Sequence, residues 1–196
     1  MPPKLIADIP DSQLVADALA NPDAYAAVVE RYGDALTRYV SRITDADPAD
    51  VDEIAQQALV KAYFNLAGYD PAVKFSSWLY RIAHNAAVDA WRKRARRDSV
   101  SLDGDDASRL AEVLAGEHDV AAHAADEDRR AAVRKAVASL DPKYREILVL
   151  RYLEDRSYEE ISDILKSPVG TVSTLVHRAK DSFRKAWSHF YRQPPP

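Results

Sequence analysis

No cysteine occurs anywhere in the chain, which excludes a disulfide framework and any thiolate metal site. Glycine is scarce, five in 196 residues, and no glycine-rich phosphate loop is present. No apolar run approaches the roughly 18–20 residues of a membrane span. The N-terminal stretch MPPKLIADIPDSQ also lacks the basic-then-apolar design of a signal peptide. Membrane insertion and export are therefore not expected, and the expected compartment is the cytoplasm. The histidines at 84, 118, 123, 177 and 189 stand apart, without a second ligand at metal-binding spacing. No metal or cofactor is expected. Nor is there a carboxylate cluster, a histidine pair or an activated nucleophile, so an enzyme acting on nucleic acid is disfavoured.

What remains is a chain that is 47% hydrophobic, rich in alanine and charge, and patterned at helical period. It reads as an all-α protein with room for one or two domains. The net charge of −4 conceals a strong unevenness. Residues 1–73 carry net −7, 74–97 net +6, 98–128 net −9 and 129–196 net +6. Two basic blocks separated by an acidic one suggest two DNA-facing surfaces, with the acidic parts meeting proteins or restraining indiscriminate binding.

The sharpest local signal is SYEEISDILKSPVGTVSTLVHRAK, residues 157–180. Ser157 and Glu160 have capping-box spacing, so a helix starts there. Ile161, Ile164 and Leu165 give it an apolar stripe, and Ser167-Pro168 supplies an N-cap and first-turn proline for a second helix. Along that helix Val169, Val172, Val176, Ala179 and Phe183 are expected to face inward. Thr171, Ser173, Thr174, His177, Arg178 and Asp181 are expected to face outward. A small polar N-terminal end followed by basic residues suits a major groove, although an ordinary helical hairpin with a solvated face has the same spacing.

Upstream, residues 11–20 and 23–43 read as helices, the second with a stripe of Tyr25, Val28, Val29, Tyr32, Leu36, Tyr39, Val40 and Ile43. Asp50 or Asp52 is expected to cap a helix running to about Leu66 and ending at Gly68. A loop, GYDPAVKF, leads to a helix from about Ser76 that carries Trp78 and ends in RKRARR, where the helix dipole favours cations. Trp78 reads as core in preference to a stacking platform, and the arginine cluster as DNA-binding or as a solvated helix end. Residues 98–128 read as an acidic tether, helical pattern resumes at Arg129, and Asp141-Pro142 reads as a cap and first helical position.

Two long stretches, VDEIAQQALVKAYFNL with FSSWLYRIAHNAAVDAWRKRARR, and LDPKYREILVLRYLEDRSYEEISDILKSPVGTV, resemble the bacterial RNA polymerase sigma factors of the extracytoplasmic-function (ECF) group. The resemblance covers nearly the whole chain. It implies a region 2-like helical domain over 1–97, a flexible acidic linker over 98–128 and a region 4-like helix-turn-helix domain over 129–196. Glu53, Gln56, Gln57 and Lys61 match the segment that docks on the clamp helices of the largest catalytic subunit of core RNA polymerase. The second domain is expected to meet the flap of the second-largest. Asn85 falls where the family reads an unstacked base of the −10 element, with Phe75 and neighbouring loop residues enclosing the ring. An amide offers both a donor and an acceptor to such a base edge. Lys74, Arg92, Lys93, Arg94, Arg96 and Arg97 would bind phosphates there. Arg151, Tyr158 and Glu159 match positions near the −35 backbone, and Thr171, Ser173, Thr174, His177 and Arg178 lie on the recognition helix. The family commonly has arginine at the positions of Ser173 and Leu175, so a guanine-rich −35 element is not implied. An anti-sigma partner is common among relatives. A stand-alone helix-turn-helix regulator is the alternative, separated by its lack of need for the 50–66 docking face.

Overall fold

The computed structural model describes residues 6–44, 46–94 and 127–191, and among them only helices and turns occur. The described residues fall into two compact units, one built from residues 6–94 and the other mainly from 127–191. Residues 98–126 of the acidic stretch, Arg96, Arg97 and the QPPP tail lie outside the described residues, while Glu127 and Asp128, expected to end the tether, form the first turn of a helix that starts two residues before Arg129.

The first unit contains α1 (Asp11–Ala20), α2 (Ala26–Ile43), α3 (Pro48–Asn65) and α4 (Phe75–Arg94). Short 3-10 turns at Pro22–Tyr25 and Leu66–Gly68 join them at bends. Helix starts are marked by proline: Pro22 and Pro48 each occupy a first-turn position where a missing N–H costs nothing. The third helix therefore begins before Asp50, the earlier of its two expected caps. The backbone carbonyl of Asp47 accepts from Asp50 and Val51 with no side-chain cap at all. α3 packs on α4, and α2 packs on both. Val28, Leu36, Tyr39, Val40, Ile54, Ala58, Ala62, Leu79, Tyr80 and Ala83 form the interior. The buried Tyr25 hydroxyl donates to the Leu59 carbonyl at 2.8 Å and so pins the turn that leads into α2 onto α3. That burial pushes its phenol up to about 12. Val29, expected in the apolar stripe, is exposed, because it lies at the rim of the α2–α3 contact.

The second unit contains α5 (Glu127–Ala138), α6 (Pro142–Leu148), a π-helical turn over Val149–Leu153, α7 (Tyr158–Leu165) and α8 (Val169–Tyr191). α8 packs against α5 and α6. Ala136, Val137, Ile147, Leu148, Ile161, Val172, Ala179 and Phe183 are buried. Asp141 caps α6, its side chain accepting from the Lys143 N–H at 3.0 Å. Arg145 is buried and donates to the Ala138 carbonyl at the end of α5, satisfying a helix terminus from outside.

Candidate nucleic-acid interface

In the first unit, the segment between α3 and α4 is shaped by its own side chains. Asp70 accepts from the Ala72 N–H at 2.9 Å, and the Tyr69 hydroxyl donates to the Val73 carbonyl at 2.6 Å. Below the loop lies an aromatic stack: Phe75 and Trp78 are nearly parallel at 5.6 Å, and Tyr69 meets them at 5.3 and 5.4 Å. Trp78 is core, as its spacing predicted. Phe75 is a correction. At 2% exposure it has no surface to offer a base, and its part is to fix the loop from beneath. Lys74 is exposed where the loop meets α4. Asn85 is exposed on the next turns of α4, and Arg92 near its end lies 3.9 Å from Asp89. That pair is so exposed that it holds little of the arginine's charge. Lys93 and Arg94 belong to the last turn of α4, and nothing is described of their side chains.

Glu53, Gln56, Gln57 and Lys61 are all exposed on α3. Gln57 donates to Glu53 one turn back at 2.9 Å. Helical spacing continues this line into two residues that sequence reasoning missed, Val60 and Phe64, exposed by 54% and 77%. Their signal was present: with Ile54, Ala58 and Ala62 inward, both had to fall outside the buried stripe. Between α3 and α4 a groove of about 480 Å³ runs past Glu53, Gln57 and Lys61 over a floor of Ile54, Ala86 and Ala90.

In the second unit the corner between α7 and α8 is closed by local hydrogen bonds. Ser157 accepts from the Glu160 N–H while Glu160 accepts from the Ser157 N–H at 2.8 Å, a complete capping box. The Ser162 hydroxyl donates to the Ser167 carbonyl at 2.6 Å, and the Ser167 N–H returns a bond to the Ser162 carbonyl. Between them Lys166 is left-handed at φ 51°, a conformation in which glycine is usual. The second helix starts at Val169, one residue later than expected, with the Pro168 carbonyl accepting from Thr171 and Val172.

On α8 the inward set is Val172, Val176, Ala179 and Phe183, all buried. Val169 is a further correction, 40% exposed, because the first turn overhangs the core. Thr171, Thr174, His177, Arg178 and Asp181 are exposed, whereas Ser173 is half-buried on the flank, as is Leu175. The Thr174 hydroxyl donates to the Gly170 carbonyl at 3.0 Å, so toward a ligand it offers acceptor lone pairs and a methyl group. Gly170, also missed, lies on this exposed face with open space where a side chain would be, which lets another backbone come close. At the entrance to α7, Arg151 donates to the Arg156 carbonyl at 2.8 Å, with its guanidinium 5.6 Å from the ring of Tyr158. Glu159 is exposed in the first turn of α7. Its carboxyl lies below the usual carboxylate range, held there by its own backbone N–H and then by the Ser157 hydroxyl.

The fold and these surfaces define a helical protein with a helix-turn-helix in one unit and a cation-ended helix beside an aromatic loop in the other. Family models match both parts: Sigma-70 region 2 over residues 28–97 and Sigma-70, region 4 over residues 130–182. The chain is 34% identical over 169 residues to the ECF RNA polymerase sigma factor SigW of Bacillus subtilis, covering 83% of this chain and 88% of that one. It is 30% identical over 165 residues to the ECF RNA polymerase sigma-E factor of Escherichia coli K12, covering 81% and 84%. Among solved structures it is similar to CnrH, determined in complex with the cytosolic domain of CnrY, at TM-score 0.66 and 26% identity over 91% of this chain and 97% of that one. The chain belongs to the ECF RNA polymerase sigma factors. It binds core RNA polymerase and directs transcription initiation at promoters. No helix among the described residues is long and apolar enough to cross a membrane.

Proposed function

We propose the following division of labour within this sigma factor. Residues 1–97 dock on the polymerase and read the −10 element, 98–128 tether, and 129–196 read the −35 element. Glu53, Gln56, Gln57 and Lys61 meet the clamp helices of the largest catalytic subunit. Val60 and Phe64 give that face an apolar anchor, since a desolvated aromatic contributes more to an interface than a solvated polar rim. The second unit meets the flap of the second-largest subunit. Asn85 hydrogen-bonds the edge of an unstacked −10 base, while Lys74, Arg92, Lys93, Arg94, Arg96 and Arg97 neutralise phosphates. Phe75 acts from below the loop.

At −35, Thr171, Thr174, His177 and Arg178 meet base edges or methyl groups, with Ser173 at the margin. Arg151, Tyr158 and Glu159 stand at the phosphate-facing end of α7. Because both readers belong to one chain, the second contact is effectively intramolecular once the polymerase sets their separation. The site of action is the cytoplasm, and an anti-sigma protein covering the polymerase-binding surfaces is the expected regulator; CnrH, which this chain resembles, forms a complex with the cytosolic domain of CnrY.

The observation that carries this reading is the exposure of Asn85 on a helix that continues into the basic cluster. Run-off transcription with purified core polymerase on a promoter library tests it. Initiation should depend on this chain, fall sharply with Asn85→Ala, and shift its −35 preference toward guanine with Ser173→Arg. A chain that never associates with core polymerase, or opens promoters equally well without Asn85 and the cations, refutes the assignment.

A further inference from the structure

Asp11, at the start of α1, takes no part in the surfaces described above, yet it is the hub of a network reaching the −10 loop. One oxygen of its carboxylate accepts from the Tyr32 hydroxyl at 2.6 Å and from the Arg31 guanidinium at 2.9 Å. Arg31 also donates to the Ile6 carbonyl, so the segment before α1 is tied to the same point. The Tyr32 phenol is pushed well above its ordinary value, first by burial and then by its bond to Asp11, and it therefore remains a donor. Its ring meets Phe75 edge-on at 5.8 Å. Phe75 lies against Trp78 and Tyr69, and the Tyr69 hydroxyl holds the Val73 carbonyl.

We propose that Asp11 is a positioning residue for promoter opening: through Tyr32 and Phe75 it sets the loop 69–74 and the first turn of α4. The inference rests on the reading of that loop and α4 as the −10 element's binding site. Its physical logic is that capturing one unstacked base requires donors and walls held to within a fraction of an ångström. A loop of six residues with two hydrogen bonds of its own does not reach that rigidity unaided. A charge-assisted O–H···O bond is short and directional, and it fixes the Tyr32 ring in rotation as well as in depth. A ring so fixed leaves Phe75, and hence the loop, one position.

The test uses the full chain with core polymerase at saturating concentrations, comparing Tyr32→Phe, Asp11→Ala and the double variant. Tyr32→Phe keeps the ring and removes only the link, so it remains informative even if Asp11→Ala folds poorly. Each single change should slow promoter opening by about 5–10-fold and weaken discrimination against a substituted −10 base by a similar factor, with affinity for core polymerase within about twofold of the wild type. The double variant should be no worse than the slower single, because both cut the same relay. A general loss of stability would lower the folded fraction without changing which −10 base the folded fraction prefers. Opening and discrimination within twofold of the wild type for Tyr32→Phe would overturn the proposal, as would additive effects in the double variant. Asn85→Ala is the control. If it impairs opening and Tyr32→Phe does not, the relay alone is wrong; if neither does, the −10 reading falls with it.

Discussion

The two units place their readers by different means. In the first, bonds such as Tyr69 with Val73 shape the loop locally, but the contacts that seat it in the unit join residues far apart in sequence: Asp11 to Tyr32 and Tyr32 to Phe75. In the second, the contacts that set the helix-turn-helix corner span at most five residues: Ser157 with Glu160, Ser162 with Ser167, Arg151 with Arg156. The difference follows from the tasks. Reading a duplex groove needs one helix at one angle to another, which local capping can supply. Holding a base taken out of its stack needs a cavity with several walls, and walls come from separate elements.

The largest effect that would break this contrast is expected at Phe75. Phe75→Ala should destabilise the first unit by about 3–5 kcal/mol, the usual cost of emptying a buried aromatic site, and leave the second unit unchanged. Hydrogen exchange resolved along the chain would detect both halves of that statement, and matched losses in the two units would refute their independence.

Alkali gives the next effect. Tyr25, Tyr32 and Tyr69 are all raised by burial in the folded first unit. A raised folded value means their stabilisation is intact below pH 10 and is lost as pH climbs through the folded values, between pH 10 and about 12 for Tyr25. Tyrosinate absorbance should rise together with loss of the first unit's helicity. Ionisation well ahead of unfolding would show that these hydroxyls are not held as described.

Two serines sharpen the comparison at smaller magnitude. Ser157→Ala should cost about 1 kcal/mol, because the capping box is lost. Ser77 is fully buried in α4 and its hydroxyl has no hydrogen-bond partner. Ser77→Ala should therefore be neutral or stabilising by up to about 1 kcal/mol. Urea denaturation of the two variants would reverse the expected order if local capping mattered less than buried polarity.

The smallest effect is at the turn. Lys166→Gly removes the steric cost of a left-handed lysine but adds chain entropy to the unfolded state, for a net gain of about 0.5–1 kcal/mol. A lower midpoint on thermal melting would mean that the lysine side chain contributes something its backbone conformation does not reveal.

How much was legible in advance follows the same division. The capping box at 157–160, the cap at Asp141 and the inward set on α8 from Val172 to Phe183 depend on neighbours within a turn or two, and all stand as read. Val29 and Val169 were misjudged because periodicity says which way a side chain points and not whether anything lies there to cover it. Phe75 was assigned to the wrong side of its loop for a related reason. An aromatic residue beside a loop can face a ligand or the core, and only the positions of Tyr32, Tyr69 and Trp78 decide between them.

The order of helices, their caps, the separation of charge along the chain and the outward face of the recognition helix are properties of short stretches, and the sequence alone determined them. Tertiary structure decided which aromatic rings meet, that an aspartate in α1 reaches the loop before α4, and that Val60 and Phe64 remain uncovered beside Gln57. Short-range backbone chemistry acts within a helical turn. Burial exists only once distant helices have closed on one another.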